Sequence, residues 1–270
     1  MSKYLNVFNT LAEYQAFSAS TEYVQPNVAL VKETNVLYYD YGDNKPHPNY
    51  TDYKVSSKSL VSDGGDTYGL DEKLCLNYIP SGVTSLGGAF SNWSSLEEVT
   101  CEIPDGVTSL YYTFGGCSSL VTAPDIPSGV TEMNNTFYGC RSLVTAPKIP
   151  SGVTSLYYTF NDCTSLVTAP EIPSGVTDMN STFGGCSSLV TAPEIPSGVT
   201  NMASTFYDCT SLKEVTFLHT TPQYYADTLW NCPELETIYV PDEAVDAYKT
   251  ATEWSQFSSK FKPLSEKQTE

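Results

Sequence analysis

Histidine is nearly absent: 2 residues in 270, which leaves most His-based catalysis and multi-His metal sites without their side chains. Positive charge is also scarce. The 13 Lys+Arg stand against 31 Asp+Glu, a formal charge of −18. Phosphate backbones and anionic membranes attract basic patches, so this balance argues against nucleic acid and against a membrane surface as partners. No apolar run approaches the roughly 18 residues of a membrane-spanning helix. Nor does an apolar stretch of about 7–15 residues follow Lys3, as a secretory signal requires. The expectation is that the protein stays where it is made, the alternative being a trimmed signal. CxxC pairs are missing, as are GxSxG, HExxH, P-loop and GxGxxG strings. His47 lies between two prolines and His219 opens a degenerate repeat, so neither is tied to a nucleophile. The expectation is no enzyme, no cofactor and no metal.

Hydrophobic residues, at 40%, suffice for a core and are too many for a disordered chain. Their arrangement is a repeat. Residues 103–125 read IPDGVTSLYYTFGGCSSLVTAPD and residues 126–148 read IPSGVTEMNNTFYGCRSLVTAPK. Further units begin at Ile149, Ile172 and Ile195, and an earlier one at Ile79 carries Trp93 where the others have Cys. A degenerate last unit begins at Leu218 and keeps Leu229, Cys232, Leu235 and Ile238. In the unit from Ile126 the apolar positions are Ile126, Val130, Met133, Phe137, Cys140, Leu143 and Ala146. Val130 and Met133 flank a short extended segment, and Pro147 and Pro127 punctuate a second one. The spacing predicts a short helical or 3₁₀ turn over 137–143 that places Phe137 and Cys140 inward. One such unit cannot bury its own apolar face, so the units must stack into a solenoid. Seven coils at about 4.8 Å each give a length of about 35 Å.

Cys117, Cys140, Cys163, Cys186, Cys209 and Cys232 recur every 23 residues. This is a structural period, read as a core ladder of reduced thiols that behave as small buried hydrophobes. Neighbouring rungs about 5 Å apart would be within reach of oxidation.

These strings carry a resemblance. L-x-x-x-x-x-I-P-x-x-V-T-x-[LM]-x-x-x-F-x-x-C resembles the BspA-like leucine-rich repeat over about residues 70–240, and VTNMASTFYDCTSL resembles the related 25-residue bacterial lipoprotein repeats. One departure is Thr before the Phe (Thr113, Thr136, Thr159), where that family usually has Ala. The resemblance implies a curved solenoid with short strands on one face. It also implies a role as a surface adhesin or ligand-binding protein whose repeat is not catalytic.

The organisation expected is a β-rich α/β solenoid of 23-residue leucine-rich repeats (70–240), with a small β-containing module and linker before it (1–69) and a helical cap and tail after it (241–270). Pro241 and Asp242 are helix start signals. Val245, Tyr248, Ala251, Trp254, Phe257 and Phe261 then follow at three- and four-residue spacing, a single apolar stripe that would cover the last coil. Residues 262–270 read as a frayed polar tail. Near the N-terminus, residues 11–17 suit a short helix, 28–31 and 36–39 a hairpin, and 56–69, with Asp63-Gly64-Gly65-Asp66, a linker. The string EYQAFSAS…YVQPNVALVKETNVLYYD is similar to N-terminal modules of virion and tail-associated proteins of phages and prophages of gut anaerobes. That resemblance implies an anchor in residues 1–69 that contacts other virion proteins.

Some positions vary from unit to unit. The pair after the Leu or Met reads Tyr111-Tyr112, Asn134-Asn135, Tyr157-Tyr158, Asn180-Ser181 and Ala203-Ser204. Just before that Leu or Met stand Ser109, Glu132, Ser155, Asp178 and Asn201. Stacking would build a patch of tyrosines flanked by amides and carboxylates. Tyrosine offers a rigid ring and one hydroxyl, and with Asn and Asp it suits a sugar. The candidate ligand-binding residues are therefore Tyr111, Tyr112, Asn134, Asn135, Tyr157, Tyr158, Asn180, Glu132 and Asp178. The bland alternative is that these rings only cover coil edges. Asp125, Glu171 and Glu194, interrupted by Lys148, read as a solvated edge rather than a calcium ladder. The functional expectation is a virion-associated protein, assembled in the host cytoplasm, that contacts a bacterial surface polysaccharide or protein. The alternatives are a bacterial cell-surface adhesin and a structural virion decoration without a ligand. A homo-oligomer is left open, since no heptad or collagen-like stalk specifies one.

Overall fold

The computed structural model describes residues 79, 83–223 and 225–267, together with the backbone of strands between residues 5 and 78. The helix expected at 11–17, His47 and the turn at 63–66 lie outside the described residues. Leu5–Phe8 (β1) pairs parallel with Val28–Val31 (β2), and β2 pairs antiparallel with Val36–Tyr39 (β3). Lys54–Ser57 (β4) follows β3 in the sheet. The stretch 56–69, expected as a linker, contributes strands instead: Leu60–Ser62 (β5) pairs antiparallel with Tyr68–Leu70 (β6). β4 then pairs with Leu74–Tyr78 (β7), which runs parallel to Leu96–Val99 (β8). One sheet therefore crosses residue 70.

From residue 79 onward the chain is a stack of coils, numbered from 1 (79–102) through 2 (103–125), 3 (126–148), 4 (149–171), 5 (172–194) and 6 (195–217) to 7 (218–240). Parallel bridges join equivalent residues of successive coils: Glu98 to Thr122, Thr145, Thr168 and Thr191 in turn. The line continues through Thr191–Ile195 (β9), Glu214–Phe217 (β10), Thr237–Val240 (β11) and Phe261–Pro263 (β12), all parallel. A second line of bridges links Ser85, Ser109 and Glu132, and again Ser155, Asp178 and Asn201.

The core is a set of ladders. Phe90, Phe114, Phe137, Phe160, Phe183 and Phe206 stack with centroids 5.6–5.7 Å apart, and the central pairs are within 10° of parallel. Burying one such ring stabilises by about 1.5–3 kcal/mol. Beside it, the Cys117, Cys140, Cys163, Cys186 and Cys209 thiols are buried and free. Each donates to the Phe carbonyl of the preceding coil at 3.1–3.2 Å, as Cys140 does to Phe114. Cys232 makes the same bond but is only half-buried. The threonine that departs from the usual Ala forms a third ladder. Thr113, Thr136, Thr159, Thr182, Thr205 and Thr228 are buried, and each hydroxyl donates at 2.8–3.0 Å to the Leu or Met carbonyl of the coil before. A buried hydroxyl needs such a partner, and this one supplies an inter-coil tie that Ala cannot.

The helical turn expected over 137–143 is absent. The N–H groups of Thr136, Tyr138 and Cys140 donate to carbonyls three residues back, while those of Asn135, Phe137 and Gly139 donate to Tyr157, Thr159 and Asn161 in the next coil. A helix would keep every donor inside itself. Residues in the left-handed region break the pattern: Asn135 at φ 58° and Gly139 at φ 67°, with equivalents in the other coils. The result is a run of turns whose alternate donors knit neighbouring coils.

The C-terminal segment differs from the single striped helix expected. A 3₁₀ turn (Asp242–Ala244) leads into Val245–Thr250 (α1), which ends at Ala251 with ψ 130°, and a second 3₁₀ turn covers Thr252–Phe257. Flanking threonines favour this break. The Thr250 hydroxyl donates back to the Asp246 carbonyl at 2.8 Å. Tyr248, Trp254 and Phe261 are buried and Trp254 meets Phe217 at 5.6 Å, whereas Val245, Ala251 and Phe257 are only half-buried. The frayed tail is corrected too. Lys262 and Pro263 pair with β11, and the Lys267 ammonium binds Glu194 at 3.1 Å and the Thr216 hydroxyl at 3.0 Å. Residues 268–270 lie outside the described residues. Among the described residues, no helix is long and apolar enough to cross a membrane.

Candidate functional site

The variable positions before the Leu or Met serve the fold. Side-chain oxygens of Ser109, Glu132, Ser155, Asp178 and Asn201 accept from the backbone N–H two residues on, at 3.0–3.4 Å. These are local turn caps, which short polar side chains make readily. Glu132 and Asp178 are half-buried and engaged this way. The Asn134 carbonyl oxygen accepts from the Ser155 hydroxyl at 2.8 Å and the Tyr157 N–H at 3.1 Å, and that of Asn180 from the Ser181 hydroxyl at 3.0 Å. One carboxylate oxygen each of Glu132 and Asp178, and the carbonyl oxygens of Asn134 and Asn180, are thus engaged locally, a role readable from an acceptor recurring at one offset from the turn.

The tyrosines do come together. Tyr111 and Tyr157 are exposed, at 52% and 41%. Tyr112 and Tyr158 lie half-buried beneath them. Tyr138, from a different repeat position, sits between these two: Tyr112–Tyr138 is 6.2 Å and Tyr138–Tyr158 6.3 Å between centroids. Tyr157 leans on Tyr158 at 4.6 Å and Tyr111 on Tyr112 at 6.4 Å. Two separate repeat positions feed one column of rings, so no single aligned position reveals it. Burial, and after it Tyr138, raise the Tyr112 hydroxyl above its ordinary 10.0, so that hydroxyl keeps its proton at pH 7. Tyr112 and Tyr158 also adopt φ of 51° and 54°, a left-handed conformation that bulky residues rarely take. Such strain, of order 1–3 kcal/mol, persists where the surroundings hold it and concentrates at functional sites. Asn135, Ser181 and Ser204 hold the same conformation with smaller side chains.

A second exposed surface lies along the other line of bridges. Val121, Val144, Val167 and Val190 are all exposed, each followed by an exposed threonine. Charged residues stand at the equivalent positions beyond: Glu97 at one end, Lys213 and Glu236 at the other. Asp125, Lys148, Glu171 and Glu194 are exposed.

The thiols are poorly suited to nucleophilic work. Burial pushes Cys140, Cys163, Cys186 and Cys209 well above their ordinary 9.0, and neighbouring thiols add to the effect. Half-buried Cys101 and Cys232 are pushed up to about 11. His219 is buried, with Nε2 2.8 Å from the Val199 carbonyl rather than beside a thiol. Among the described residues, no three His, Cys, Asp or Glu side chains converge as a metal site would require.

The family description "BspA type leucine rich repeat region" matches residues 73–190 and 134–257, in six copies. The chain belongs to the BspA-type leucine-rich repeat family. Two solved structures resemble this BspA-type chain. A leucine-rich repeat protein from Bacteroides ovatus shares 23% identity over 60% of this chain and 54% of its own, with a TM-score of 0.37. A leucine-rich cell surface protein from Faecalibacterium prausnitzii shares 23% over 63% of this chain and 61% of its own, with a TM-score of 0.29. The chain thus spans little more than half the length of these solved relatives. No curated protein matches it.

Proposed function

We propose that this BspA-type chain is a non-enzymatic binding protein of the bacterial surface-adhesin kind, holding a surface polysaccharide or protein on its tyrosine face. The observation that carries the reading is the column of rings, two of them in strained backbone, beside the exposed Tyr111 and Tyr157. Membership of the family favours the adhesin over the virion-associated protein. The family match begins at residue 73, so it lends nothing to a phage-type anchor in residues 1–69. Virion partners and virion location are left without support, and the structural-decoration alternative predicts that the tyrosines are dispensable.

The test is binding of the fluorescently labelled full chain to intact gut-anaerobe cells. A variant with Tyr111, Tyr112, Tyr157 and Tyr158 all changed to Asn would run beside it. This variant rewrites coils 2 and 4 in the Asn134-Asn135 pattern that coil 3 already folds with. Saturable binding that the variant loses while keeping its melting midpoint supports the reading. Equal binding by both proteins removes the tyrosine face from it.

A further inference from the structure

In coils 2, 3, 4, 6 and 7 the column takes one ring per coil from either of two positions. The ring is Tyr112 in coil 2, Tyr138 in coil 3, Tyr158 in coil 4, Tyr207 in coil 6 and Trp230 in coil 7. The last two stack at 4.5 Å and 10°. In coil 5 both positions are small, Ser181 and Gly184, and no ring is present. A cavity of about 310 Å³ opens there, with Tyr158 and Tyr207 among its lining residues. That volume is at the lower end of small-molecule sites, about 300–1,000 Å³. Asn161, Asp162 and Asp208 also line it. The Asn161 amide reaches over the floor, and a Cβ placed on Gly184 would meet its nitrogen at 2.5 Å.

We infer that this vacancy is a subsite for a neutral or amino-bearing hexopyranose ring, deepening the proposed binding function and resting on it. The occupant must resemble the missing ring, with apolar faces for the tyrosines at either end. Its edge must be rich in donors, because the carboxylates of Asp162 and Asp208 only accept, Asp208 through the oxygen that the Asn231 amide, at 2.7 Å from Oδ1, leaves open. A pyranose has both properties. The side chain of an aromatic residue from a protein partner offers at most one hydroxyl or N–H. Uronic and sialic acids would place a carboxylate beside two others on a chain of charge −18, which disfavours them.

The experiment presents a printed array of neutral, amino and acidic glycans to the labelled full chain, with two variants. Gly184→Tyr fills the vacancy with the residue that coils 3 and 6 carry at the same position, Tyr138 and Tyr207. The φ of Gly184 does not demand glycine, and a Cβ there displaces the Asn161 amide, which donates to the Ser181 carbonyl at 3.2 Å. Asp162→Asn removes one carboxylate and keeps a residue suited to φ 58°, as Asn231 shows at the equivalent position with φ 53°. The expected result is binding to neutral or amino glycans, weakened at least about tenfold by either variant with the fold intact, by loss of ring contact or of a charge-assisted hydrogen bond. Three results overturn the subsite: no glycan bound by folded protein, preference for acidic glycans, or equal binding by Gly184→Tyr. Cell binding measured in parallel separates the two claims. If cells are bound through the tyrosines but glycans are not, the subsite falls and the surface reading stands, pointing to a protein ligand. If cells are not bound either, the surface reading falls with it.

Discussion

The two exposed sides of the same coils repeat in opposite ways. Along the Thr122–Thr191 line, coils 2 to 5 present Val and Thr without change. On the tyrosine side the ring moves between two positions, and the residues around it change from coil to coil. Uniformity on the first side has a local cause. A residue beside a parallel bridge must suit an extended backbone, and β-branched side chains do so in any coil. The second side is built from turns whose alternate donors already reach the next coil, and its left-handed position is filled by Tyr, Asn or Ser in different coils. Variation within one chain therefore marks where shape is not imposed by stacking, and there a specific surface can be built.

The sharpest break in this comparison sets the interior against the exterior. Phe160→Ala removes the middle ring of the stack and leaves a cavity in a ladder with no slack. Urea unfolding should register a loss of about 3–5 kcal/mol. Tyr157→Ala, three residues away and 41% exposed, should register about 0.5 kcal/mol or less. Similar costs for the two would mean that the outer column supports the coils, and the binding argument would lose its basis.

Next comes the alkaline limb. The buried thiols bind their protons more tightly folded than unfolded. Their contribution to stability is complete below the ordinary value of 9.0 and declines above it, as the unfolded chain ionises first. Each fully buried thiol should cost up to roughly 1 kcal/mol per pH unit above about 9. For the half-exposed Cys101 and Cys232 the decline ends near their folded value of about 11. Urea midpoints from pH 7 to 10.5 give the profile, and Cys163→Ala with Cys186→Ala should flatten it. A profile unchanged by that double replacement would assign the alkaline loss to other groups.

The sequence made the period and the core ladders legible, because Phe, Cys and Leu recur at fixed offsets and only inward positions tolerate such monotony. It did not reveal the turns. Phe137 and Cys140, three residues apart, look helical, and the difference lies in Asn135 and Gly139, whose left-handed backbone sends alternate donors to the next coil. Glu132, Asp178, Asn134 and Asn180 read as ligand contacts, since a capping carboxylate or amide looks the same in sequence as a free one. Tyr138 and Tyr207 stayed hidden because the column changes position between coils. Thr159 read as a minor departure because a methyl-sized difference in sequence conceals a bond across 26 residues to the Met133 carbonyl. Thr159→Val should cost about 1 kcal/mol by urea unfolding, since that carbonyl keeps the Thr136 backbone N–H as a partner at 3.1 Å. A larger loss would mean that the two donors act together.

A change in stability expected to cancel best isolates the tyrosine side. Tyr158→Asn replaces a bulky residue at φ 54° with one that tolerates the left-handed region, as Asn135 does one coil earlier. Relief of backbone strain is worth about 1–3 kcal/mol. Against it stands the loss of ring contacts to Tyr138 and Tyr157, about 0.5–1.5 kcal/mol each. The two nearly cancel, so the unfolding free energy from urea titration should change by less than about 1 kcal/mol in either direction while cell binding falls. Val167→Thr on the uniform side should leave both quantities unchanged. If Tyr158→Asn keeps full binding, the strained tyrosine is only a cover for the coil edge. If it instead destabilises strongly, the ring column is part of the scaffold, and the distinction between the two sides of the coil dissolves.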